Sequence, residues 1–208
     1  MVTLWGATVA VDFIGKTAVG QMLGAVTFAA IAGFYTSPAI ASRDIPDVLF
    51  SSLVDEVRLG VQSSDIFREE SGVNINVEVL FRRPNNFYDS KVLLFLLNPR
   101  LHIGGSLNTA GDTSQAYAGA TWDYRLTNRL FVEASFGGVI HDGNLNRLPS
   151  TASPALGCRV MFRESASVGI ELTENLRLMG TIDHISNAGL CNFNDGLTTV
   201  GARIGYKF

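Results

Sequence analysis

From residue 53 to its last residue this chain alternates apolar and polar side chains. The alternating stretches run for about 9–15 residues and are separated by turn-formers, the pattern of membrane β-strands. Period-two alternation puts successive side chains on opposite faces of a strand. Val57, Leu59 and Val61 alternate with Glu56, Arg58 and Gln62; Val73, Ile75, Val77 and Val79 alternate with Asn74, Asn76 and Glu78. The pattern returns over 101–107, 116–126, 130–140, 162–172, 176–182 and 200–208. These eight candidate strands make an even number, as a closed antiparallel barrel requires.

The polar face separates the barrel classes. It carries Arg58, Glu78, Arg82, Asp123, Arg125, Glu133, Arg163, Glu171, Arg177, Arg203 and Lys207. The dry core of a soluble sandwich or lipocalin-like barrel does not hold so many charges. A membrane barrel keeps its polar network inside and its apolar band outside, and closure satisfies the backbone that lipid cannot. The chain ends Ile204-Gly205-Tyr206-Lys207-Phe208, with aromatic residues at alternate positions and a terminal Phe208. That ending resembles the signal outer-membrane barrels present to the barrel-assembly machinery, an expected partner. The predicted fold is therefore all-β, an eight-stranded antiparallel outer-membrane barrel.

Turn lengths orient it. Thr127-Asn128 and Thr173-Glu174-Asn175 are tight and read as periplasmic; residues 142–156 and 187–196 are longer and read as extracellular. Residues 83–99 fit less well. Asn98-Pro99 breaks the chain, yet Val92 to Leu97 is wholly apolar, either an extension of the third strand or an interfacial segment.

The N-terminus differs in kind. Lys16 precedes a mostly apolar, small-residue run from Ala18 to Tyr35, followed by Ser37-Pro38-Ala39-Ile40-Ala41, an A-x-A cleavage pattern. Residues 1–41 are expected to be a signal peptide and 42–208 the barrel. A start at Met22 would lack the cationic region, and a retained anchor is the alternative. Lys16 and Asp12 would leave together, so the net charge stays at −3. With no basic tract, nucleic acid is excluded as a partner. Cys158 and Cys191 are the only cysteines. In an oxidising periplasm they can form a disulfide, and two buried thiols fit equally well.

Chemistry concentrates in Asp183-His184-Ile185-Ser186-Asn187-Ala188-Gly189-Leu190, followed by Asn194-Asp195-Gly196. Residues two apart on a strand share a face, so His184 and Ser186 project together, half of a nucleophilic triad. Even positions of this strand are the apolar ones, so both side chains face lipid. A polar pair there is expensive without a function; a strand end at headgroup level is the bland alternative. His102 and His141 fall on the interior parity and are expected to join the polar network. No Asp/Glu/His cluster has metal-ligand spacing, and no cofactor is expected.

The whole block resembles the active-site signature of the outer-membrane lipid A 3-O-deacylases, the PagL family, most strongly over residues 156–208. The resemblance implies a serine esterase that removes an ester-linked acyl chain from lipopolysaccharide lipid A in the outer leaflet. It assigns the oxyanion hole to Gly189 and Asn194, and Asn187 beside them is a further candidate donor. The family's glutamate falls at Thr198, which cannot carry the charge that stabilises an imidazolium. A hairpin centred on Glu174 would bring Glu164, also outward by parity, opposite His184, and the related enzymes carry an acidic residue there. Glu164 is therefore the expected acid. The same register sets Cys158 one step from Cys191, close enough for a disulfide. An inactive structural or adhesive barrel and a phospholipase on the same lipid-facing site remain the alternatives.

Overall fold

A computed structural model describes residues 52–64, 66, 70–83, 90, 96–147 and 153–208. The expected signal peptide, residues 1–41, lies outside the described residues, as do 84–89 and 91–95. Eight strands follow in chain order: β1 (Val54–Ser63), β2 (Val73–Phe81), β3 (Arg100–Asn108), β4 (Gln115–Arg125), β5 (Leu130–His141), β6 (Val160–Glu171), β7 (Leu176–Ser186) and β8 (Leu197–Lys207). Each pairs antiparallel with the next, and β1 pairs with β8, so the sheet closes into a barrel. Closure leaves no strand edge unpaired, the condition for crossing hydrocarbon.

The apolar parity faces outward. Phe162, Val168, Leu178 and Ile204 are 38%, 53%, 44% and 44% exposed, while Arg58, Glu133 and Arg203 are buried inside. Arg125 shares the inner parity but stands at the periplasmic mouth, exposed and paired with Glu171 at 3.3 Å. Leu96 and Leu97 are helical and β3 begins only at Arg100, so these two residues do not extend the third strand. Trp122 Nε1–H donates to the Leu96 carbonyl at 3.2 Å, which holds that segment against the outer wall.

The lumen is filled in two layers. The periplasmic half holds an ion network centred on Arg58, which reaches Glu56 at 2.8 Å, Glu78 at 3.0 Å and Glu133 at 2.8 Å. Arg177 bridges the same Glu56 and Glu133 and lies over the Phe131 ring at 4.4 Å. His102 belongs to this interior, its Nδ1 2.9 Å from the Thr121 hydroxyl. Removing the central cation takes the ion-pair partner from buried Glu78 and one of three cations from Glu56 and Glu133, which keep Arg100 and Arg177. Arg58→Met should therefore destabilise the barrel by about 3–5 kcal/mol. The check is the denaturant midpoint at which the folded band on an unheated gel disappears; an unchanged midpoint would contradict it.

The extracellular half adds an apolar cluster among buried polar side chains such as Asn74, Asn76 and Arg163. Tyr117, Val139, Leu156, Met161, Ile185 and Leu197 form one buried cluster. These inward apolar residues break the simple polar-inside rule. They are admitted because residues 153–158 fold down into the barrel mouth and bring Leu156 onto them. The wall carrying residues 184–186 is thus backed by a packed plug through Ile185.

Candidate active site

β7 delivers the histidine and the serine. Its odd residues point inward and its even ones outward, so His184 and Ser186 both face out, each half-buried at the extracellular end. Across β6 the register pairs Glu164 with His184 and Phe162 with Ser186. Across β8 it pairs Thr198 with His184. A row Phe136–Glu164–His184–Thr198 therefore runs over four strands on the outer wall. Directly paired side chains in such a row have Cβ atoms about 5 Å apart.

Within the row the structure singles out one hydrogen bond. His184 Nδ1 lies 2.8 Å from the Thr198 hydroxyl. That contact commits Nδ1 and leaves Nε2 for a neighbour. Thr198, not Glu164, thus holds the imidazole by a hydrogen bond. Glu164 is half-buried, and its Oε2 is shielded from solvent without a hydrogen-bond partner. An unpartnered carboxylate oxygen is costly and asks for an explanation. The back of the imidazole rests on Gly196. A Cβ there would stand 2.9 Å from His184 Cε1, and the residue has φ +68°. Any side chain at 196 would be strained and would have to displace the ring.

The loop after β7 corrects one expected role. Asn187 is 2% exposed, and its amide is fully used inside the protein. Nδ2 donates to the carbonyls of Leu156 (2.8 Å) and Phe193 (2.6 Å), while Oδ1 accepts the Gly189 N–H at 2.9 Å. Asn187 is a loop clamp rather than an oxyanion donor, because both its donors are already satisfied. The Gly189 N–H is engaged in the same turn, with φ +78° at Gly189. Asn194 is different. Its Oδ1 accepts the Asn187 N–H at 2.8 Å, which fixes the amide orientation and leaves Nδ2 as its donor.

Beside Ser186 lies an apolar groove of about 460 Å³, within the size range of small-ligand sites. Its walls are Phe136, Gly137, Gly138, Val160, Met161, Phe162 and Leu190, with Cys158 and Asn187 at one end. Phe136 and Phe162 stack at 6.0 Å between centroids. Gly138 sits on the outward face between Phe136 and Ile140, and its missing side chain makes the hollow. Sequence reasoning missed this groove; the one available signal was the Gly137-Gly138 pair inside an otherwise bulky strand. Cys158 and Cys191 are joined by a disulfide with Cα atoms 6.0 Å apart. His141, on the inner parity, has Nε2 2.6 Å from the Cys158 carbonyl.

Comparisons with known proteins bear on the fold and the family. No curated protein sequence matches the chain. Among solved structures, that of the outer membrane enzyme PagL superposes with a TM-score of 0.54 at 15% identity, covering 74% of this chain and 99% of that one. The N-terminal β-barrel domain of Pseudomonas aeruginosa OprF superposes with a TM-score of 0.50 at 12% identity, covering 76% and 98%. At these identities the likeness speaks for the fold, an outer-membrane barrel. The family model for lipid A 3-O-deacylase (PagL) matches residues 95–207, more than half of the chain and all of β3 to β8 with the row at His184. This chain belongs to the lipid A 3-O-deacylase (PagL) family.

Proposed function

We propose that this barrel is a serine esterase that hydrolyses an ester-linked acyl chain of lipid A in the outer leaflet. The observation that carries the reading is a polar His184–Ser186 pair on the lipid-facing wall, beside an apolar groove. Such a pair has no structural use in hydrocarbon, whereas a lipid ester would meet it directly. In the reaction, His184 Nε2 takes the Ser186 proton as the hydroxyl oxygen attacks the ester carbonyl carbon. The carbonyl oxygen becomes an oxyanion and accepts from Asn194 Nδ2. Collapse expels the sugar oxygen, which takes its proton from His184, and water then repeats the sequence to free the fatty acid. The groove along Phe136, Gly138 and Phe162 would hold the departing acyl chain.

For His184 to act through Nε2, its proton must sit on Nδ1 and point at Thr198 Oγ1. A hydroxyl can donate as readily as accept, so Thr198 fixes the ring's plane without selecting this tautomer. The negative charge that stabilises the imidazolium formed in the reaction is assigned to Glu164 across the β6–β7 pair. The replacement of a carboxylate by Thr198 also supports a second reading, a barrel that kept the scaffold without turnover. Mass spectrometry of lipid A from cells producing the chain separates the readings. Hydrolysis removes the mass of one ester-linked acyl chain, dependent on Ser186, and an unchanged lipid A profile with active protein controls would favour the scaffold. Release of lysophospholipid instead would identify a phospholipase.

A further inference from the structure

The proposed oxyanion donor stands on the β7–β8 loop, and that loop is held from outside. Residues 153–158, which lead into β6, fasten it on both sides of Asn194. Before Asn194, the Cys158–Cys191 disulfide crosses a sequence separation of 33, and Asn187 Nδ2 bonds the Leu156 carbonyl. After it, the Asp195 carboxylate accepts the Ala155 N–H at 3.0 Å, and the Asp195 N–H returns to the Ala155 carbonyl at 3.2 Å. Arg147 completes the grip, with Nη2 2.9 Å and 3.2 Å from the two Asp195 oxygens.

We infer that the Cys158–Cys191 disulfide and the Asp195 clamp are positioning elements for Asn194, a role that rests on the esterase reading above. A donor serves an oxyanion only from about 2.7–3.1 Å, and misplacement by about 1 Å can cost a hundredfold in rate. The barrel does not need these links, because its eight strands close independently of the loop. The loop does, since Asn194 hangs from its Oδ1 contact to Asn187 and from its two neighbours in the chain. The links therefore act on rate. Reduction by dithiothreitol converts the disulfide to two thiols as the reagent is oxidised to its cyclic disulfide.

The test uses the full barrel in detergent micelles, as parent, as Cys158→Ser/Cys191→Ser and as Arg147→Ala. Turnover and KM on purified lipid A are read beside amide hydrogen exchange over 187–195. The double serine variant should lose about a hundredfold in kcat with KM held within about twofold. Its loop amides should exchange faster while those of β6 and β7 do not. Arg147→Ala should show a smaller change of the same kind, and dithiothreitol should reproduce the effect in the parent but not in the double serine variant. Unchanged kcat, or unchanged loop protection, overturns the inference. A parent without Ser186-dependent turnover refutes the esterase reading instead, and loop exchange alone then decides whether the clamp exists.

Discussion

Replacing Ser186 with alanine should abolish hydrolysis of lipid A while the barrel still assembles. The expected loss is at least about 10⁴-fold in kcat, the scale seen when a triad nucleophile is removed. His184→Ala should cost about as much, and the double variant little more. Residues that act as one unit lose their joint effect once either is gone. Both side chains point out of the wall, and neither belongs to the buried cluster of Tyr117, Val139, Leu156, Met161, Ile185 and Leu197. Heat-modifiable gel mobility should therefore match the parent. Full activity in Ser186→Ala would end the serine-esterase proposal, because no other hydroxyl on β7 shares the outward face with His184.

The second large effect concerns Glu164 and Thr198. Glu164→Gln should reduce turnover by about ten- to a hundredfold. A carboxylate about 6 Å from an imidazolium, at an effective dielectric near 20, is worth up to about 3 kcal/mol, less with solvent screening. Glutamine keeps the size and removes the charge. Thr198→Glu in that background should recover part of the rate, since residue 198 already contacts Nδ1. Thr198→Val removes the hydroxyl but keeps the volume, and it should lower activity because the ring loses its fixed plane. These are steady-state measurements on one substrate preparation. Equal rates for Glu164→Gln and parent would leave His184 with Thr198 as its sole orienter and discard the carboxylate.

Alternation is a local property, and what depended on it was readable in the chain. Strand count, closure and the outward parity of Glu164, His184 and Ser186 all follow from a period of two. The tight turn at Thr173-Glu174-Asn175 sets the β6–β7 register, so the pairing of Glu164 with His184 was legible as well. The same turn placed Cys158 near Cys191.

Contacts across long connections were decided elsewhere. The Thr198 hydroxyl reaches His184 only because β8 returns at one particular register after the loop 187–196, and no short turn dictates that register. Asn187 and Asn194 look alike in the sequence, yet one is spent on the Leu156 and Phe193 carbonyls and the other keeps a donor free. Their difference lies in which backbone groups surround them. The inward Val139, Met161 and Ile185 offered an apolar surface that nothing nearby in sequence explained, until residues 153–158 dropped Leu156 onto it. A strand's own residues determine which face each side chain takes; only its neighbours in space determine what that side chain finds there.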